Sequence, residues 1–139
     1  MPKKTISEII KEASELRTRQ EKIDFLRQYD SSALRIVLQY ALDSNIKFLL
    51  PEGEPPYKPN EYDESRYWLY SEARKLYLFV EGGNDNLKPN RREMLFVSFL
   101  ESIDPEDAKL ILSVKDKKLP VKGITPKLVN EAFGDLVNL

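Results

Sequence analysis

The stretch Thr5-Ile6-Ser7-Glu8-Ile9-Ile10-Lys11-Glu12-Ala13-Ser14-Glu15-Leu16 decides the fold class. Thr5 followed three positions on by Glu8 is a capping box, in which hydroxyl and carboxylate each take up a backbone N–H that a helix start leaves open. Ile6, Ile9, Ile10, Ala13 and Leu16 then recur at three- and four-residue steps, the spacing of one helix face. A first amphipathic helix is therefore predicted from about Ile6 to Arg17.

The same signals return along the chain. A short helix is predicted from about Gln20 to Gln28 with Ile23 and Leu26 inward, and Ser31 caps a third that carries Leu34, Val37, Leu38, Ala41 and Leu42 on one face. Ile46 to Leu50 is a short continuous apolar run, compatible with a brief strand or a buried turn, and periodicity does not separate the two. Pro51 to Tyr62 holds Pro51, Gly53, Pro55, Pro56 and Pro59, which predicts an extended loop.

Asp63 is read as the N-cap of the longest helix, running to about Val80 with Tyr67, Tyr70, Ala73, Leu76, Tyr77 and Val80 at helical steps and Gly82-Gly83 as its stop. Asn90 is read as the cap of a helix bearing Met94, Leu95, Val97 and Leu100. Asp104-Pro105 opens another through Val114, and Thr125-Pro126 opens a last one through Phe133, stopped by Gly134. No alternating strand and no glycine-spaced βαβ pattern intervenes. The expected fold is all-α: six or seven helices packed as antiparallel pairs in one compact domain over residues 1–139. The helical pairs span about 5–43 and 63–134, around a Pro-rich loop at 51–62.

Composition narrows the chemistry. The 139 residues include no cysteine and no histidine, which removes disulfides, thiolate nucleophiles, cysteine zinc sites and the usual general base. No apolar run approaches the ~20 residues of a membrane span, and Met1 to Lys11 lacks the apolar core of a signal peptide, so a cytoplasmic protein without a membrane role is expected. The formal net charge of −1 gives no long-range pull toward nucleic acid.

Carboxylates pair at Glu52/Glu54, Asp63/Glu64 and Asp104/Glu106/Asp107, where capping and the helix dipole account for them. Asp63, Glu64 and Asp107 are the only candidates for catalysis, with no mechanism to assign. The expectation is no enzyme, no catalytic residue, no metal and no cofactor. Gly82-Gly83 lacks the lysine and hydroxyl residue of a phosphate loop.

Two clusters point to binding. Tyr57, Tyr62, Tyr67, Trp68, Tyr70, Tyr77 and Phe79 lie close together with Arg66, Arg74 and Lys75 among them. Tyr67, Tyr70 and Tyr77 suit a core with their hydroxyls at the surface. Tyr57, Tyr62 and Trp68, near the proline loop, suit a contact surface of the kind that forms interface hot spots. Basic residues bunch at Lys88, Arg91 and Arg92, and again at Lys115, Lys117, Lys118, Lys122 and Lys127, five lysines in thirteen residues. The second bunch surrounds a loop in which Gly123 permits close backbone approach and Thr125 begins a helix, an arrangement that often holds phosphate. A solvated surface loop explains the same residues.

The run Leu119 to Leu136 resembles the close of the N-terminal helical domain of ATP-dependent DNA ligases, especially those of tailed phages, at Lys122, Gly123, Thr125, Val129, Asn130, Ala132 and Phe133. Asp107 to Lys115 is similar to the ligase helix that feeds this loop. Glu21 to Leu26 followed by Leu34 to Phe48 is similar to the paired helices that begin phage ligases. The whole chain also looks like a small uncharacterised family of tailed-phage proteins sharing the pattern at Asp107-Ala108 and Lys115 to Thr125.

In ligases that domain grips duplex DNA through backbone contacts in the minor groove, while ligation needs a separate nucleotidyltransferase domain. No Lys-x-Asp-Gly adenylation motif occurs here. Leu119-Pro120 lengthens the loop relative to the ligase pattern, and lysines stand where ligases use arginines, giving point charges without a planar fork.

Two functions follow as expectations. One is a non-enzymatic phage protein-binding adaptor acting in nucleic-acid metabolism or host takeover in the host-cell cytoplasm, using Tyr57, Tyr62 and Trp68, with a homo-oligomer compatible with the near-zero charge. The alternative is a module for the duplex-DNA backbone using Lys117, Lys118, Lys122, Gly123, Thr125 and Lys127.

Overall fold

Side chains that repeat every three or four residues must be buried on one side, and in the computed structural model, which describes residues 3–139, they are buried against one another in a single apolar core. The described residues form seven α-helices: α1 (Ile6–Glu15), α2 (Arg19–Gln28), α3 (Ser32–Leu42), α4 (Leu69–Glu72), α5 (Pro89–Ser102), α6 (Pro105–Lys115) and α7 (Pro126–Phe133). Two 3₁₀ segments, Asp63–Ser65 and Ala73–Phe79, flank α4. The fold is all-α, with no helix long and apolar enough to cross a membrane among the described residues.

The caps do what their chemistry requires. Thr5 and Glu8 close a reciprocal capping box on α1, Thr18 and Glu21 do the same for α2, and Ser31 and Thr125 each accept one first-turn N–H. Pro105 and Pro126 occupy first-turn positions, where the missing N–H has no partner to lose. The Asn90 reading is corrected: Lys88 is the N-cap of α5 and Pro89 its first residue, and no side chain caps it.

The continuous helix expected from Asp63 to Val80 is also corrected. Three-residue bonds such as Arg66 N–H to Asp63 O, Tyr70 N–H to Tyr67 O and Ser71 N–H to Trp68 O break it into 3₁₀ turns around the single α turn of α4. Ser65 and Ser71 hydroxyls donate to the carbonyls of Tyr62 and Trp68, and this side-chain competition loosens a regular α ladder. The tighter winding has three residues per turn, so Ala73, Leu76 and Phe79 stack on one buried face. Tyr77 consequently turns outward, against the core reading, and α5 is the longest helix among the described residues.

Ile46 to Leu50 resolves to one antiparallel bridge, Phe48 to Val80, with Leu49 N–H donating to Phe79 O and Glu81 N–H to Lys47 O, both at 2.8 Å. Beside it Phe79 meets Phe96 and Phe99 edge-on at centroid distances of 5.1 and 5.9 Å. Helix α3 sits centrally, packed on α4, α6, α7 and the second 3₁₀ segment, while α2 packs along α1 and α7. Arg27 of α2 donates to the carbonyls of Glu131 and Ala132, which supplies partners to the open C-terminal end of α7.

Candidate functional site

The proline-rich segment is pinned by two helices. Lys115 on α6, with only 2% of its side chain exposed, donates to Pro51 O at 2.8 Å and to Asp116 Oδ1 at 2.6 Å. Farther on, Glu101 of α5 accepts the Lys58 N–H at 2.7 Å through its carboxylate and the Asn60 side-chain amide at 3.1 Å through its carbonyl. Asn60 in turn accepts the Tyr62 N–H, and Tyr62 O accepts from both the N–H and the hydroxyl of Ser65. The chain from Lys58 to Ser65 is thus held at Lys58, Asn60, Tyr62 and Ser65, and Pro59 fixes one further φ.

Of the first predicted cluster this segment carries Tyr62, with Tyr57 just before it and Trp68 just after it. Tyr62 is 75% exposed and Trp68 46% exposed, whereas Tyr57 is half-buried and packs against the core. Burial, with Glu54 nearby, raises the Tyr57 phenol above its ordinary value. Tyr57 is therefore a foundation for the segment, and Tyr62 and Trp68 are the presented rings. Tyr67 and Tyr70 are half-buried and donate their hydroxyls to Lys3 O and Lys4 O, and the Lys3 ammonium lies 4.9 and 4.7 Å from their ring centroids. They anchor the chain before α1.

The second cluster divides. Lys117 has a left-handed backbone, φ 58°, and its ammonium donates to Tyr40 O and, at 2.8 Å, to Asp43 O. It satisfies the carbonyls at the C-terminal end of α3, where a cation is favoured. Burial lowers its pKa, with Asp43 opposing the shift. In this geometry the Lys117 ammonium is engaged by backbone carbonyls, and Lys115 is spent on Pro51. Thr125 Oγ1 accepts the Leu128 N–H at 3.2 Å and Pro126 has no N–H, so among the described residues only the Lys127 N–H stays open in the first turn of α7.

Lys118, Lys122 and Lys127 remain exposed. Gly123 has φ 83°, and a Cβ built there would lie 2.4 Å from the Lys22 ammonium. Lys22 at the start of α2 thus joins the loop across the fold. No local pattern in the sequence signals this; only the packing of α2 on α7 brings them together. Asn130 pairs its side-chain amide with the backbone of Val137 in both directions at 2.8 Å, Val129 and Ala132 are buried, and Phe133 lies under the Arg35 guanidinium at 4.9 Å. The residues at these positions serve packing here.

Asp63 and Glu64 are exposed at the first 3₁₀ turn. Asp107 is 1% exposed; one carboxylate oxygen accepts the Ser7 N–H at 3.0 Å and the other has no partner among the described residues. The three are not assembled into one group, and among the described residues no group of three acidic side chains is placed to hold a metal ion.

A protein-family model described as Family of unknown function (DUF6433) matches residues 9–121, a span that includes Tyr57, Tyr62, Trp68, Lys117 and Lys118 and ends one residue before Lys122. No match is found among curated proteins or among solved structures.

Proposed function

We propose that this chain, which belongs to the family of unknown function DUF6433, is a non-enzymatic adaptor that docks a viral or host protein through Tyr62 and Trp68. The observation that carries the reading is the exposure of two large rings: Tyr62, 75%, on a segment held by Glu101, Asn60 and Ser65, and Trp68, 46%, whose N–H donates to Ser65 O directly after it. Pre-ordered aromatic side chains lose little freedom on binding and form the energetic centre of many interfaces. A place in phage nucleic-acid metabolism or host takeover fits this role, and it rests on the resemblance to tailed-phage proteins.

The test is affinity capture from infected cells at high salt with the wild type and with Trp68→Ala, both shown to melt alike. Loss of one stoichiometric partner in the variant is expected. An identical partner set for the two proteins overturns the reading, and self-association at working concentration identifies a second copy as the occupant.

A second reading is favoured by the position of Lys22 beside Gly123, which adds a cation to Lys118, Lys122 and Lys127. It assigns that surface to the DNA backbone. Anisotropy titrations of nicked and intact duplexes against salt test it: each phosphate contact contributes about 0.9 to the log-log slope. Lys118→Ala/Lys122→Ala is expected to reduce the slope, and an unchanged slope and affinity overturn this reading.

A further inference from the structure

We propose that the N-terminus of α5, with Lys88, Arg91 and Arg92, is a binding site for a phosphate group. Five helices (α1, α2, α3, α6 and α7) begin with a Thr, Ser or Asp side chain accepting a first-turn N–H; α5 has no such cap and no acidic residue in its first turn. The Arg92 N–H goes to Lys88 O, and among the described residues the N–H groups of Asn90 and Arg91 have no acceptor. Three cations gather at the positive end of a 14-residue helix, where the dipole opposes each of them.

The second observation concerns the burial of one of these cations. Arg92 is 5% exposed, and its Nη2 donates to Leu87 O at 2.8 Å, which places the guanidinium beside the residue that precedes the N-cap. Its Nε is buried without a partner, and no carboxylate pairs with it among the described residues. A guanidinium removed from water without a counter-ion is costly, and an oxyanion at this point removes that cost.

The nearby acids do not fill the role. Asp85 accepts the Gly82 N–H at 3.0 Å, and Glu93 lines the cavity of about 230 Å³ beneath the proline-rich segment. Two open N–H groups and a guanidinium match the oxygens of a phosphate, and the exposed Lys88 and Arg91 balance a dianion. This site shares no residue with the aromatic segment or with the Lys118 to Lys127 loop, and it stands or falls without either reading.

Amide NMR of the full chain, titrated at constant ionic strength with inorganic phosphate, AMP and adenosine, tests it. Saturable movement of the Asn90 and Arg91 amide signals by a phosphate-bearing probe, and none by adenosine, is expected. A tighter response to AMP assigns the ligand as a phosphomonoester, and a response to inorganic phosphate alone assigns the free ion. Lys88→Asp supplies the missing N-cap carboxylate; it is expected to raise the melting midpoint and weaken phosphate binding at least tenfold. Absence of saturable shifts with both phosphate probes, or shifts of the same size in Lys88→Asp, overturns the proposal.

Discussion

The carboxylate of Asp107 accepts the backbone N–H of Ser7 at 3.0 Å, joining the starts of α6 and α1 across a hundred residues of sequence. Burial pushes this carboxyl up from 3.8 to about 6; the Ser7 bonds oppose the shift, and Asp104 and Glu8 add repulsion to it.

A folded pKa above the unfolded value means that the folded chain holds the proton more tightly. Stability from this group is full below about pH 4 and is lost as pH rises through about 6, a change on the order of 3 kcal/mol. Glu8 and Asp30 act oppositely. The Thr5 N–H and the Arg35 guanidinium hold them below their usual range, so their contribution is lost as pH falls. Asp107→Asn keeps an oxygen for Ser7 and removes the ionisation. Thermal melts from pH 4 to 7.5 are expected to show the wild type losing ground to the variant as pH rises, and parallel curves would refute the assignment.

Neighbouring lysines should differ sharply. Lys117→Met removes a charged donor from Tyr40 O and Asp43 O and is expected to cost about 2 kcal/mol in urea unfolding. Lys118→Met, at an exposed position, should change stability by no more than about 0.5 kcal/mol. Equal effects would mean that the Lys117 bonds contribute nothing net.

Phe79 is 1% exposed and contacts Phe96 and Phe99 edge-on. Phe79→Ala leaves a cavity where the second 3₁₀ segment packs on α5, and a loss of about 3–5 kcal/mol is expected in chemical denaturation. A loss below about 1 kcal/mol would show that this segment is not part of the cooperative core.

Tyr62→Ala separates binding from folding. At 75% exposure the ring contributes little to stability, so the melting midpoint should hold, while affinity for the captured partner falls by roughly thirty-fold, as for an interface hot spot of about 2 kcal/mol. Unchanged affinity would remove Tyr62 from the interface.

Much of the architecture is legible in local chemistry. Thr5 with Glu8, Ser31, Asp104 with Pro105 and Thr125 with Pro126 mark helix starts because capping depends on residues no more than three apart, and each start lies where its motif indicates. The region from Asp63 to Val80 misleads for the same reason. Its apolar spacing fits both a 3.6- and a 3.0-residue period over so few turns, and the choice is made by serine hydroxyls and by the packing of Phe79 on α5.

The sequence by itself determined that the chain is helical and where most helices begin, and the lack of histidine and cysteine removed whole classes of chemistry. Only the tertiary structure decided which lysines are spent on carbonyls, which aromatic rings reach solvent, that Lys22 meets Gly123, and that Arg92 is buried with no carboxylate paired to it among the described residues. Periodicity and capping are properties of a few consecutive residues, whereas burial and the pairing of charges depend on side chains that the fold brings together from distant parts of the chain.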